Sequence, residues 1–552
     1  MTKPRNTRPE INREAPKARK AAAPFGLGRE NSTVARRPQG TDSARSVRPL
    51  GKGEKPYRAA AKQPGSERNE ARISAKFATD RSAARISAPS RDRSAEPGAS
   101  AKARGSAPSV SERQDTLPKA PTRPLGSNAG RPVGSPPRTN STPTLGAQIN
   151  RRAADRLRNG YLWVYASDIE TLGLPKDAAE APPALLPVAD SRGLLLGTAL
   201  YSPSSQIALR VISRDAVDEA GWLELLATRL HKAIDRRRKL LNEKTDSCRL
   251  CFSEADELPG LVVDKYGDLA IFQLLTKGLD NAAVRGVCVS VLREELAPAA
   301  ILERPDPRMR ELEGLSAPSA EPLWAAGKTA PVLNTQFRLN GLSFQYDANA
   351  GQKTGAFLDQ SANYAAVQEW AHRLGATGKA LDVCCYQGGF ALHLARVCTN
   401  VTGIDASRAS LEVAERNLEA NRAQLSAQVE WVEGDAFQIL REWSDAGQTF
   451  DTIVLDPPAF AKTQRAVENA LRGYKELNLR ALKMLRPGGL LVTCSCSHHV
   501  SWTDMETSVA AAAVDVNKRV RLLERRGASQ DHPVVLNLPE TEYLKCLVLQ
   551  VE

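Results

Sequence analysis

Leu-Asp-Val-Cys-Cys-Tyr-Gln-Gly-Gly-Phe, residues 381–390, decides how the C-terminal part of this chain folds. An apolar run that closes on a carboxylate and breaks into paired glycines reads as a buried strand turning sharply into a helix. Ala380–Cys385 is the first of five such runs. Val401–Asp405, Val429–Val432, Thr452–Asp456 and Leu490–Cys494 follow. Between them, residues 407–420 place Leu411, Ala414 and Leu418 on one helical face. Residues 465–485 do the same with Leu471, Tyr474, Leu477, Leu482 and Leu485, stopping before Pro487-Gly488-Gly489. Strands alternating with helices predict an α/β domain with a doubly wound parallel sheet. In such a sheet the ligand lies across the carboxyl ends of the strands.

Those ends carry carboxylates. Gly388 and Gly389 allow close backbone approach at the first turn. Asp405 lies 23 residues beyond Asp382, the spacing at which a strand-end carboxylate accepts ribose hydroxyls. Asp435, in Glu-Gly-Asp-Ala-Phe, follows the third strand and is placed to read an adenine amino group. Dinucleotides ask for Gly-x-Gly-x-x-Gly at the first turn, which residues 386–390 do not supply. A nucleoside without phosphates fits better. S-Adenosyl-L-methionine combines adenine, ribose and a sulfonium cation that an acidic rim at Asp382 suits. Each feature alone also has an ordinary structural reading, the strand-end Asp as a helix cap above all; their order along the chain makes the signal.

The fourth and fifth strands bring the chemistry. Asp456 heads Asp-Pro-Pro-Ala-Phe (456–460), where two prolines stiffen the turn and Phe460 offers a stacking face. Read alone, this stretch resembles the grip of amino-group methyltransferases on an exocyclic nitrogen. The fifth strand adds Thr-Cys-Ser-Cys-Ser (493–497), with Cys494 and Cys496 at the active edge. Pyrimidine carbon 5 takes a methyl group only after a thiolate adds to carbon 6, and Asp456 could bond ring nitrogen 3 during that addition. Two other readings stay open: small apolar strand fillers, or a zinc cluster with His498 and His499, whose ligands are closer than usual. Cys384 and Cys385 read as packing.

Ahead of this domain the 552-residue chain changes character twice. Residues 1–150 hold 30 Lys and Arg against 12 Asp and Glu, while the remainder holds 46 against 51, so the net charge of +13 comes entirely from the start of the chain. Residues 1–147 are rich in Ala, Arg, Ser, Pro and Gly, too poor in apolar side chains to offset their ordering entropy, and are expected to be disordered. They could tether a polyanion or serve only as a linker. Short runs at Trp163–Tyr165, Ala184–Val188, Leu194–Leu200 and Ile207–Ile212 predict a small β-barrel over 148–218. A helix near 222–241 and a hairpin around Tyr266-Gly267-Asp268 begin a mixed α+β segment, 219–335, with a boundary at Lys328–Pro331 and the last domain over 336–552. No apolar run is long enough for a membrane span, and nine scattered cysteines exclude a disulfide scaffold. A soluble cytoplasmic protein is expected.

Longer motifs carry a resemblance. Ser-Glu-Ala-Asp-Glu-Leu-Pro-Gly-Leu-Val-Val-Asp-Lys-Tyr-Gly-Asp (253–268), Arg-Glu-Leu-Glu-Gly-Leu (310–315) and Gly-Gln-Lys-Thr-Gly-Ala-Phe-Leu-Asp-Gln (351–360) stand with Arg-Gly-Tyr-Lys-Glu-Leu-Asn (472–478) and Asp-His-Pro-Val (531–534). Over about 148–552 the chain resembles bacterial 23S rRNA 5-methylcytosine methyltransferases of the RlmI type. The resemblance implies a PUA-type RNA-binding barrel, a central α+β domain and a Rossmann-like class I methyltransferase domain. It implies Cys496 as nucleophile, Asp456 at the base, and Asp382, Asp405 and Asp435 at the donor. Lys353 and Phe357, with Asp359 and Gln360, would lie in a loop over the cofactor. The partner implied is 23S rRNA, with homodimerisation left open. Amino-group methylation and a non-catalytic ribosome-assembly role are the rival readings.

Overall fold

The computed structural model describes residues 145–176, 178, 183–327, 333–348 and 355–552. The expected disorder of residues 1–144, the Lys328–Pro331 boundary and Lys353 lie outside the described residues. The first strand begins at Gly146, so Gly146 and Ala147 belong to the folded body rather than to the tail.

The first folded segment comprises β1 (Gly146–Ile149), α1 (Arg151–Arg158), β2 (Trp163–Tyr165), β3 (Ile169–Gly173), β4 (Leu185–Asp190), β5 (Leu195–Tyr201) and β6 (Ile207–Ser213). The strands form one mixed sheet in the order β2-β6-β5-β4-β1-β3. Their alternate apolar residues, among them Ile149, Leu186, Val188 and Leu209, close on a small core with Leu157 of α1. Asn150 caps α1 by accepting the Ala153 amide.

The middle segment opens with α2 (Glu219–Arg238), whose Trp222, Leu226, Leu230 and Ile234 follow the four-residue step of a buried helix face. It continues with β7 (Cys248–Phe252), β8 (Leu261–Tyr266), β9 (Leu269–Leu274), α3 (Ala282–Leu296), β10 (Ala300–Glu303), α4 (Pro307–Glu313) and β11 (Trp324–Ala325). β8 and β9 pair antiparallel with Tyr266 opposite Leu269, confirming the tight turn at Gly267-Asp268. The hairpin β12 (Asn334–Leu339) and β13 (Leu342–Asp347) follows. The division expected at residue 335 falls inside β12. Phe337, Phe344 and Tyr346 of this hairpin share one core with Tyr266 and Leu269 on one side and Val367, Phe390 and Leu418 on the other. The Tyr266 and Tyr346 rings stack at 4.2 Å.

The last segment runs α5 (Ser361–Arg373), β14 (Lys379–Val383), α6 (Gly389–Leu394), β15 (Asn400–Asp405), α7 (Arg408–Asn421), β16 (Gln428–Glu433), α8 (Ala436–Asp445), β17 (Phe450–Leu455), α9 (Val467–Met484), β18 (Leu485–Ser495), α10 (Trp502–Asp515), β19 (Val520–Arg526) and β20 (Lys545–Val551). The sheet order is β16-β15-β14-β17-β18-β20-β19. The first five strands are parallel, while β20 pairs antiparallel with both β18 and β19. Strand order reverses between β14 and β17, so the crevice at their carboxyl ends is the ligand position of a doubly wound sheet. The three segments are pinned together by specific bonds. The Tyr161 hydroxyl donates to Glu540 (2.5 Å), and the Trp163 indole donates to Glu254 (2.9 Å). Arg237 of α2, 2 % exposed, bonds Asp256 and the carbonyl of Asp531. Among the described residues no helix is long and apolar enough to cross a membrane.

Candidate active site

β14 delivers Asp382 into the middle of the sheet, where it is fully buried. One carboxylate oxygen accepts the Ala391 amide in the first turn of α6 (2.8 Å), and the other has no hydrogen-bond partner. Burial, reinforced by the Asp456 and Asp405 charges, pushes its pKa up to about 8. Asp405 ends β15 and accepts the amides of Tyr386 (2.9 Å) and Ser407 (2.8 Å), with burial raising its pKa. Asp456 follows β17, its amide donating to the Val383 carbonyl at the end of β14. Three carboxyls stand at the ends of neighbouring strands, one with an orphaned oxygen, a donor set suited to a cation. This donor set fits S-adenosylmethionine.

The loop from β14 to α6 repeats a left-handed backbone at alternate residues: Cys384 (φ 62°), Tyr386 (φ 50°) and Gly388 (φ 83°). This is the conformation of a Gly-x-Gly-x-Gly turn with side chains at the first two glycine positions. Each non-glycine residue there costs about 1–2 kcal/mol, which local bonds offset. The Tyr386 hydroxyl donates to the Gly355 carbonyl (2.8 Å), and its ring meets Phe357 edge-on at 5.0 Å. The space beside the two glycines is taken by the protein's own rings. A Cβ on Gly388 would come within 2.8 Å of Trp431, and one on Gly389 within 2.4 Å of Tyr364. Packing therefore explains why these positions are glycine, and a ligand would meet only their backbone.

Phe357 is half-buried beside this loop, next to the buried Asp359 and Gln360. Gln360 does not cap α5. Its amide donates to the Asp456 carboxylate (3.0 Å) while its oxygen accepts from Asn363 (2.6 Å). Asp359 accepts the Tyr543 hydroxyl (2.5 Å). Asp435 is exposed and caps α8 through the Gln438 amide (2.9 Å), the ordinary structural role of a strand-end Asp.

The two cysteines of β18 part company. Cys494 is fully buried, opposite Cys546 in the ladder, and that thiol together with burial raises its pKa. It is a core filler and not at the active edge. β18 ends at Ser495, and the chain turns so that Cys496 emerges half-buried, its sulfur 3.8 Å from the Pro457 carbonyl in the Asp456 turn. The flanking serines are fixed: Ser495 donates to the Tyr474 hydroxyl (2.9 Å), and Ser497 bonds Tyr474 (3.0 Å) and accepts the Ala461 amide (3.1 Å). Phe460 packs between Phe437 and Tyr474. No disulfide joins any of the nine cysteines, and no group of three or more metal-ligating side chains gathers among the described residues.

Tyr386, Tyr364 and Tyr474 support the site without having been singled out for it. Alternate placement of Cys384, Tyr386 and Gly388 was the available signal for the first, hidden by the absence of glycine.

A seven-strand sheet with this order, and strand-end carboxyls around its reversal point, define a class I methyltransferase, the class whose methyl donor is S-adenosylmethionine. Residues 147–214 match the PUA-like domain family and 375–527 the methyltransferase domain family. The chain is 37 % identical over 364 residues to a protein of Pseudoalteromonas translucida named Ribosomal RNA large subunit methyltransferase I, covering 66 % of this chain and 89 % of that one. The protein of that name from Erwinia tasmaniensis is 34 % identical, over 70 % of this chain and 95 % of its own. The crystal structure of SMU.776, solved with SAH, shares the fold with a TM-score of 0.61 at 20 % identity, covering 74 % of this chain and all of that one. The chain belongs to the ribosomal RNA large subunit methyltransferase I family.

Proposed function

We propose that this protein methylates carbon 5 of a cytosine in 23S rRNA, with Cys496 as the covalent catalyst. The substrate class follows the name carried by its relatives. The observation that carries the chemistry is the divergence of the two cysteines, with Cys494 sealed in the core and Cys496 turned toward Pro457 beside Asp456.

Bound S-adenosylmethionine supplies an electrophilic methyl group. The residues of the chain prepare the base to receive it. The Cys496 thiolate adds to carbon 6, and the electron pair of the 5,6 double bond moves toward carbon 5. Asp456, its rotation fixed by Gln360, bonds ring nitrogen 3 either as the protonated acid or as the acceptor for a protonated ring. Once carbon 5 carries the methyl group its proton passes to water, and elimination of the thiolate restores the double bond and the enzyme. Asp382 and Asp405 would hold the donor, the former through its cationic part and the latter through its ribose, and Phe357 would lie over it. Lys353 and Asp435 are proposed as further residues of the same donor site. The first folded segment, as a PUA-like domain, positions the RNA.

The test is a map of 5-methylcytosine on 23S rRNA from cells with the gene, without it, and complemented by Cys496→Ala. The reading expects one cytosine to lose its methyl group in the last two. Amino-group transfer through residues 456–460 would instead leave Cys496→Ala active.

A further inference from the structure

We propose that Lys545 is a positioning residue that holds Cys496 as a thiolate. The inference rests on Cys496 being the nucleophile. Lys545 opens β20 directly opposite Ser495 in the ladder, so its side chain leaves the sheet on the same face as the residue preceding Cys496. It is 3 % exposed, and its ammonium donates to the carbonyls of Ser497 (2.8 Å) and Tyr543 (2.9 Å). The ammonium is thus bound to the carbonyl of the residue after the nucleophile.

Two carbonyls solvate an ammonium but do not neutralise it, and among the described residues no carboxylate forms an ion pair with Lys545. A buried cation without an anion is costly. Burial lowers the Lys545 pKa, and the negative charges that oppose this are Cys496 first, then Glu542 and Asp504. The sulfur is the anion this cation answers.

Other titratable groups also stand around Cys496. Tyr474 of α9 is a phenol kept neutral by burial. Asp456, on the facing turn, opposes ionisation of the sulfur. His498 is held toward its neutral form by burial, and Lys462 on the 456–463 loop is exposed. A cation beside a thiol favours the thiolate. The sulfur's proton goes to solvent and no bond forms between Lys545 and Cys496.

The experiment is the pH dependence of iodoacetamide alkylation at Cys496, read by mass spectrometry of its peptide in the full-length protein, for wild type, Lys545→Met and Lys545→Arg. Thermal melting reports folding. Loss of the cation should raise the alkylation midpoint by about one pH unit or more and slow alkylation about tenfold at neutral pH. Lys545→Arg should restore most of it. Should Lys545→Met fail to fold, Lys545→Gln keeps a donor for Ser497 without the charge and carries the comparison. An unchanged midpoint in a normally melting variant overturns the inference. The assay needs neither RNA nor methyl donor. A shifted midpoint in a protein that methylates no cytosine would therefore sink the nucleophile reading alone.

Discussion

Gln360 donates from its side-chain amide to the carboxylate of Asp456 at 3.0 Å, joining the loop ahead of α5 to the turn after β17. The same Gln360 is 2 % exposed and held from its other end by Asn363. A carboxylate clamped in this way presents one orientation to a substrate, and misplacement of a positioning group is felt in rate before affinity. Gln360→Leu should lower kcat on the order of 10- to 100-fold with little change in the dissociation constant of S-adenosylmethionine. Stopped turnover assays and calorimetry on the same preparation separate the two.

Asp382 gives a pH prediction with a definite sign. Its folded pKa, about 8, lies above the ordinary carboxyl value of 3.8. Its contribution to stability is fully present below about 3.8 and is lost as pH rises through about 8. A cationic donor beside it favours the ionised form, so binding should release a proton near neutral pH. Donor affinity should rise with pH up to about 8. Calorimetry in buffers of different ionisation enthalpy measures the proton, and Asp382→Asn should abolish it.

The strand ends were legible because apolar runs that stop at carboxylates mark both the sheet and its ligand edge. Asp382, Asp405 and Asp456 stand at the ends of neighbouring strands as the sequence predicts. Asp435 is exposed and gives one carboxylate oxygen to the Gln438 amide, the cap that a strand-end Asp ordinarily makes. Cys494 and Cys496, two residues apart, read as lying together at the active edge. The ladder with β20 ends at Ser495 opposite Lys545, and past that point the alternation lapses. Where pairing stops is decided by a strand 50 residues further on, so local pattern could not show it. Gln360 and Lys545 were hidden for the same reason: their partners are remote in sequence.

Arg237 tests the join between the middle and last segments. It pairs with the fully buried Asp256 through both nitrogens and bonds the Asp531 carbonyl at 3.0 Å. Without Arg237, buried Asp256 keeps only the half-exposed Arg236 guanidinium and the Phe252 amide, a poorly compensated charge. Arg237→Met should cost about 3–5 kcal/mol, measured as a lower urea midpoint with an unchanged slope.

The basic excess of the N-terminal residues makes a separable prediction. The folded remainder is acidic by composition, an unusual balance for a protein that grips RNA. Deleting residues 1–145 should weaken binding to an rRNA fragment and flatten its salt dependence, each lost phosphate contact removing about 0.7–0.9 from the slope. An unchanged slope would reduce those residues to a linker.

The central claim is that the Cys496 sulfur bonds the cytosine it helps to methylate. Large-subunit rRNA transcribed with 5-fluorocytidine cannot lose its carbon-5 substituent, so the covalent species accumulates. Incubated with S-adenosylmethionine, the wild-type protein should give a denaturant-stable adduct whose mass maps to the Cys496 peptide, absent from Cys496→Ser. Continued methylation of ordinary rRNA by Cys496→Ser, with no adduct in the wild type, would contradict it.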